Sequence, residues 1–369
     1  MTQNKHSDIT ETQSCKTGVN GSAGLNVVSL FNGMNTGRVA LENQCFKVNK
    51  YYSSEIKPYA IELTQYHYPD TIQVGDVTKW REWDIDWKSI DLVLSGSPCQ
   101  DLSIAGSRTG INGNKSSLFW VFIEILEHVK SLNPNVIFFQ ENVGSAPKKD
   151  VGIMSRALGV YPVRINSELV VAALRDRYYW TNIRTKQTMF DTVVDIPEPT
   201  DRKIMFKDIL TDGYTDRKKA GSLLASDYKH LINDEKKQEI YINSRLKKGK
   251  QIPNIIYIEN NELRVKTNTI KGYDVVTEND CLNLAFPTST TRRGRVTKGK
   301  APCLLQGNEP LYAYDGIKLR TLNKIELCRL QGFPDDYCDI LTRNKAASLL
   351  GDGWTLPIVE HIFSFMHKT

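Results

Sequence analysis

The sequence predicts an α/β fold built on a mostly parallel sheet. Two observations carry that expectation. Short apolar runs recur between residues 26 and 183, each followed by a stretch with helical spacing, and such alternation implies parallel strands covered by helices. Of the 369 residues, 40% are hydrophobic, enough for a packed core and too many for wholesale disorder.

Taken in order, Val27-Val28-Ser29-Leu30-Phe31 reads as the first strand, and a turn over residues 32–37 leads into a helix. Residues 51–54 end a second strand, and Pro58 opens a helix that runs to Tyr66. Ile90-Asp91-Leu92-Val93-Leu94 is another buried-type strand, residues 117–129 carry apolar side chains at helical spacing, and Val136-Ile137-Phe138-Phe139 is a strand again. Ligands of such sheets bind beyond the carboxyl ends of the strands, so the loops that follow these strands are where chemistry is expected.

Beyond about Thr185 the chain turns polar and irregular as far as about Tyr314. Residues 241–300 hold twelve Lys and Arg against five Asp and Glu, so the net charge of +6 is concentrated there. A lysine-rich solvated face would look like this; so would a phosphate-binding surface. Helical pattern returns at Asn323, which stands at capping-box spacing from Glu326, and Gly332-Phe333-Pro334 ends that helix. Pro357 suits the first turn of a last helix. The expected organisation is a polar flexible tail (1–24), a catalytic domain (25–184), a recognition domain (185–315) and a segment completing the catalytic domain (316–369).

No apolar run approaches the ~20 residues that cross a bilayer, and the first 24 residues lack a signal-peptide core. The seven cysteines show no C-x-x-C spacing and give no zinc signature. Their odd number without pairing fits reduced thiols in an intracellular protein.

The chemistry-bearing pieces follow the strands. Cys99, in Ser95-Gly96-Ser97-Pro98-Cys99-Gln100, lies in a loop at the carboxyl edge of the sheet, with Pro98 fixing the backbone just before the thiol. A thiol of lowered pKa there is a nucleophile; taken alone, a cysteine more often reads as an inert, half-buried one. Glu141, in Phe139-Gln140-Glu141-Asn142-Val143, sits just after a strand, as a proton donor or as an ordinary capping or ion-paired acid. Phe31-Asn32-Gly33-Met34-Asn35-Thr36-Gly37 is a glycine-bearing turn without G-x-G-x-x-G spacing, which fits a nucleoside cofactor better than a dinucleotide. Glu55 ends the second strand, where an acid binds ribose hydroxyls. Asp76, in Gly75-Asp76-Val77, is placed to accept from an adenine amino group. Each acid taken alone reads more readily as a helix cap or turn residue.

In order and identity these pieces resemble the cytosine-5 DNA methyltransferase family, over roughly residues 26–183 and 316–366. The turn at residues 31–37, Glu55 and Gly75-Asp76-Val77 look like its three cofactor motifs. Ser97-Pro98-Cys99-Gln100 looks like the Pro-Cys motif, Glu141-Asn142-Val143 the Glu-Asn-Val motif, Arg175-x-Arg177 the Arg-x-Arg motif, and Arg329-Leu330-Gln331-Gly332-Phe333-Pro334 the motif after the recognition domain. Asp101-Leu102-Ser103, Thr290-Thr291-Arg292 and the segment from Gly351 to Pro357 are closer to the animal de novo branch than to most restriction-linked enzymes. Ala173 stands where the family has the first Gln of Gln-x-Arg-x-Arg, and Asp352-Gly353-Trp354 departs from the usual bacterial Gly-Asn. The chain lacks the chromatin-reading modules of the animal enzymes, which points to a compact bacterial, phage or mobile-element source and a cytoplasmic, DNA-associated location.

The resemblance implies a Rossmann-like AdoMet-dependent methyltransferase fold with a mixed, mostly parallel sheet and a smaller irregular target-recognition domain. It implies S-adenosyl-L-methionine as cofactor, duplex DNA as substrate, and no metal or membrane. Cys99 thiolate would add to carbon 6 of a flipped-out cytosine, Glu141 would hold a proton at ring nitrogen 3, Arg177 would bind the ring carbonyl, and Arg175 would support the loop bearing Cys99. AdoMet would be held by Phe31, Asn32, Gly33, Met34, Thr36, Glu55, Ile56, Asp76, Val77, Ser97, Pro98, Leu118, Gly353 and Trp354. DNA would be contacted by Gln100, Ser103, Ala105, Arg292, Arg293, Arg295 and Lys298. Rival readings are a tRNA methyltransferase on the same fold, disfavoured because that branch's Cys-Phe-Thr is absent, a non-catalytic DNA-binding relative, and a nicotinamide-dependent oxidoreductase.

Overall fold

The computed structural model describes residues 24–98, 118–211, 256–259, 262–267, 269–278, 280–283, 294–302, 311–314 and 319–366. The chain divides into two compact units: one formed by Met1–Ile165, Arg177–Glu198 and Leu356–Thr369, the other by Asn166–Asp176 and Pro199–Thr355.

Elements run in the order β1 (Leu25–Leu30), α1 (Thr36–Asn43), β2 (Val48–Ser54), α2 (Pro58–His67), β3 (Ile72–Gln73), β4 (Leu92–Ser95), α3 (Leu118–Leu132), β5 (Ile137–Val143), α4 (Lys148–Leu158), β6 (Val163–Asn166), β7 (Ala173–Leu174) and β8 (Asp176–Thr181). The first unit is organised by a seven-stranded sheet of order β3-β2-β1-β4-β5-β8-β6. Pairings from β3 through β5 are parallel, and β8 runs antiparallel to β5. Val27, Val28, Leu30, Leu92, Val93, Leu94, Phe138 and Phe139 are buried on both faces, as expected where helices cover a parallel sheet. Strand order reverses between β1 and β4, the crevice where open α/β sheets take ligands.

Two strand ends differ from expectation. The first strand stops at Leu30, because Phe31 already has a left-handed backbone (φ 56°). β5 continues through Glu141-Asn142-Val143 instead of ending at Phe139, because β8 pairs along its carboxyl half, Glu141 opposite Tyr179 and Val143 opposite Arg177. Pro58 takes the first turn of α2, as its fixed φ favours.

The remaining strands are short: β9 (Thr185–Gln187) and β10 (Thr192–Val194) form a hairpin in the first unit. In the second unit β11 (Ile256–Glu259), β12 (Glu262–Lys266) and β13 (Tyr273–Val275) make an antiparallel meander. There too β14 (Cys281–Asn283), β15 (Arg295–Thr297), β17 (Leu311–Tyr314) and β18 (Leu319–Thr321) form a four-stranded sheet, and β16 (Ala301–Pro302) pairs with β7.

The box predicted at Asn323 is present. Asn323 Oδ1 accepts from the Glu326 N–H at 2.9 Å, and Glu326 Oε2 accepts from the Asn323 N–H at 2.9 Å, opening α5 (Lys324–Gln331). Gly332 (φ 76°) closes it, a backbone that glycine adopts without strain. A helix that the sequence reading left out, α6 (Arg343–Asp352), follows. The last helix, α7 (Leu356–Phe363), carries Phe363 edge-on to Phe139 at 5.7 Å in the first unit. Cys281, Cys328 and Cys338 are free and buried.

Candidate active site

The carboxyl half of β5 builds two arrangements, because neighbouring strand residues face opposite ways. Glu141, 8% exposed, pairs with the Arg177 guanidinium: Nε lies 2.7 Å from Oε1. Both side chains are largely withdrawn from water, and the Nε–H is not directed along a hydrogen bond, so charge and proximity hold the contact. On the other face Gln140 Nε2 donates to Ser97 Oγ at 3.0 Å and to the main-chain oxygen of Glu141 at 2.7 Å. Asn142 Nδ2 approaches both Ser97 Oγ and Ser97 O at 3.5 Å, and its Oδ1 accepts from the Val143 N–H at 2.8 Å. The chain leaving β4 is thus tied to β5 at Ser97, one residue before Pro98.

A third arrangement lies at the ends of β1, β2 and β3. Phe31, Gly33 (φ 57°) and Asn35 (φ 67°) all have left-handed backbones, so the turn between β1 and α1 doubles back tightly. Glu55 holds it: Oε2 accepts from the Gly33 N–H at 2.8 Å, while Oε1 accepts from the N–H groups of Ile56 and Lys57 at 2.7 and 2.9 Å. Asn32 is tied to the second strand by its N–H on Ser54 O at 3.1 Å and by the Tyr51 hydroxyl on its Oδ1 at 3.2 Å. Met34 and Thr36 are buried beneath the turn. Ser54 Oγ donates to Gly75 O at 2.7 Å, linking the second and third motifs.

Asp76 caps the 3-10 turn Val77–Glu82, accepting from the Thr78 N–H and hydroxyl, both at 2.9 Å through Oδ1. Those bonds, the backbone one first, hold its carboxyl below the usual carboxylate range. Asp76 is therefore both the cap that a lone acid suggested and an exposed, ionised acceptor. Val77 is buried, whereas Ile56 is 70% exposed, an apolar side chain standing open beside Glu55. Leu118 opens α3, and Leu118 and Pro98 are half-buried.

In the second unit the Arg175 guanidinium donates from Nη1 to Gly351 O at 3.0 Å and from Nη2 to Gly353 O at 2.7 Å. Gln331 grips the same segment: its Nε2 donates to Leu350 O at 2.5 Å, and its Oε1 accepts from the Thr355 hydroxyl at 2.8 Å. Trp354, 8% exposed, is held between these anchors. The role expected of Arg175, support of the Cys99 loop, thus has a described counterpart elsewhere, on the Gly351–Gly353 carbonyls. Arg295 is exposed on β15. Lys298 Nζ donates to Asp280 Oδ2 and Val275 O, each at 2.6 Å, and Asp280 is only 3% exposed in its side chain.

Cys99, Gln100, Ser103, Ala105, Arg292 and Arg293 lie outside the described residues. The sequence reading missed Gln140, Asn142 and Gln331 as contributors. The signal for the first two was present: amides flank Glu141 on both sides where the strand turns from apolar to polar.

Residues 25–368 match the family described as C-5 cytosine-specific DNA methylase. The type II methyltransferase M.NgoBV of Neisseria gonorrhoeae is 26% identical over 415 residues, covering 91% of this chain and 97% of that protein. The orphan methyltransferase M.SPRI of Bacillus phage SPR is 33% identical over 175 residues, 43% of this chain and 38% of that one. In fold, the crystal structure of the S. pombe Dnmt2 methyltransferase superposes with a TM-score of 0.54 at 15% identity, over 94% of this chain and 99% of the other. The match runs almost the full length of both units, and the chain belongs to the C-5 cytosine-specific DNA methylase family.

Proposed function

We propose that this chain transfers a methyl group from S-adenosyl-L-methionine to carbon 5 of a cytosine flipped out of duplex DNA, with Cys99 as the nucleophile. The observation that carries the reading is the Glu141–Arg177 pair at the carboxyl end of β5, in a chain whose family match spans 25–368. The match to DNA methylases and to type II relatives favours DNA over RNA.

The residues at the ends of β1, β2 and β3 fit the cofactor. Glu55 spends three of its roughly four acceptor positions on backbone N–H groups and keeps one for a ribose hydroxyl. Asp76 keeps an exposed carboxylate oxygen for an amino group, and Ile56 offers an open apolar face to a flat base. Phe31, Asn32, Gly33, Met34, Thr36, Val77, Ser97, Pro98, Leu118, Gly353 and Trp354 complete the assignment. The cofactor supplies an electrophilic methyl group.

Cys99 thiolate forms a bond to carbon 6, which moves an electron pair toward carbon 5 and leaves negative charge on the ring. Glu141 holds a proton at nitrogen 3, and Arg177 binds the carbonyl oxygen, both where that charge collects. After carbon 5 is methylated, loss of its proton returns the electron pair and expels the thiolate. Arg175 positions the segment before Trp354. The catalytic domain is assigned to 25–184 with 316–369, and target reading to 185–315. There Arg292, Arg293 and Arg295 suit guanine's major-groove edge, and Gln100, Ser103 and Ala105 would meet the DNA near the flipped base. Among the described residues no helix is long and apolar enough to cross a membrane, and a cytoplasmic site of action beside DNA is part of the proposal.

Four outcomes are expected. DNA carrying 5-fluorocytosine will trap the wild-type protein in a denaturation-resistant adduct, since fluorine cannot leave as a cation, and Cys99→Ser will form none; an adduct with the serine variant would remove Cys99 from the chemistry. Glu55→Ala will raise the AdoMet Kd roughly 10- to 100-fold, about 1.5–3 kcal/mol for a lost charged hydrogen-bond partner, read by calorimetry; an unchanged isotherm would take Glu55 out of the cofactor site. Arg292→Ala will relax the methylated motif at one position in methylome sequencing. Lys298→Ala, by removing the ion-pair partner of Asp280, whose carboxylate still accepts from the Thr277 N–H and hydroxyl, will lower the thermal-unfolding midpoint without changing the motif. A uniform loss of activity with an unaltered motif would make Arg292 a phosphate contact instead.

A further inference from the structure

Gln140 is a polar side chain midway along β5, and the roles given above do not use it. It is fully buried. Its Nε2 is engaged twice, by Ser97 Oγ and by Glu141 O. Its Oε1 has no hydrogen-bond partner among the described residues, nor has the hydroxyl of Ser95, its register neighbour on β4. An unpaired buried polar atom costs about 1–3 kcal/mol, and Gln140 carries that cost at Oε1 while its N–H groups serve two buried acceptors. What the glutamine contributes is therefore what its N–H groups hold.

They hold Ser97, two residues before Cys99. Asn142, on the same face of β5, reaches the same serine. Between Ser97 and Cys99 stands Pro98, whose ring fixes φ, so a constraint applied at Ser97 passes on through few free torsions.

We propose that Gln140 is a positioning residue for Cys99: by holding Ser97 against β5 it fixes where the chain leaves β4, and so the point from which the thiolate approaches carbon 6. The proposal rests on the reading of Cys99 as nucleophile. Misplacement of a reacting group by about 1 Å can lower a rate by ~10²-fold.

The test is the single-turnover rate of adduct formation on 5-fluorocytosine duplex DNA at saturating AdoMet and DNA. It is measured for the full chain and for Gln140→Leu, Ser97→Ala and the double variant, beside melting temperature and AdoMet affinity. Gln140→Leu will bind AdoMet with unchanged Kd and trap about 10- to 100-fold more slowly. Ser97→Ala will be slowed as well, and the double variant will be no slower than the slower single one, because both remove the same contact. Full-speed trapping by Gln140→Leu, or losses that add in the double variant, would overturn the proposal. So would a slow Gln140→Leu enzyme that also melts lower while Ser97→Ala traps at full speed, which would assign Gln140 to fold maintenance. If the wild-type protein forms no adduct, the reading of Cys99 itself fails, an outcome distinct from these.

Discussion

The candidate site depends on the alternation of side chains along β5. One strand can serve two faces only because successive residues point opposite ways. Glu141 therefore goes to Arg177, while Gln140 and Asn142 go to Ser97. The direction of β8 matters equally. Running antiparallel, it begins where β5 ends, which sets Arg177 opposite Val143 and within reach of Glu141. A parallel neighbour would bring its own carboxyl end to that edge, and the first residues of the strand would lie at the far side of the sheet.

The cofactor edge follows a different logic. Three left-handed residues close the turn after β1, and the N–H groups freed by such a turn need acceptors. Glu55 answers Gly33 across the strand ends, along with two N–H groups of its own segment. The acid expected to meet a ribose is thus also the tie between the first and second motifs. Asp76 likewise serves as a cap before it serves a ligand, and the bonds from Thr78 keep it ionised. Where a lone acid reads as cap or as ligand contact, both roles can rest on one carboxylate, which has more acceptor positions than either role needs.

Much of this was legible in the sequence. Apolar runs located the strands, Pro58 and Asn323 marked helix starts, and the residue order of the motifs pointed to the family before any contact was known. What escaped was long-range. That β5 extends through Val143 depends on pairing with a strand more than thirty residues later, which local periodicity does not report. The grip of Arg175 and Gln331 on the segment at residues 350–355 joins positions far apart in the chain. Lys298 read from the sequence as a DNA contact, and only the fold shows the nearly buried Asp280 beneath it. Helix α6 went unpredicted because Arg343-Asn344-Lys345-Ala346-Ala347 offers little apolar periodicity to read.

The two units cut across the proposed roles: Glu141, Arg177 and the cofactor turn lie in one, Arg175, Gly353, Trp354 and the basic strands in the other. Which atom receives the methyl group is the claim on which the roles of Cys99, Glu141 and Arg177 all rest. It is tested most directly by incubating the full chain with duplex DNA and AdoMet carrying an isotopically labelled methyl group, digesting the DNA to nucleosides, and identifying the labelled species by mass spectrometry. The account predicts label in 5-methylcytosine alone. Label in N4-methylcytosine or N6-methyladenine would contradict it, since methylation of an exocyclic amino group needs neither a thiolate at carbon 6 nor a proton held at nitrogen 3.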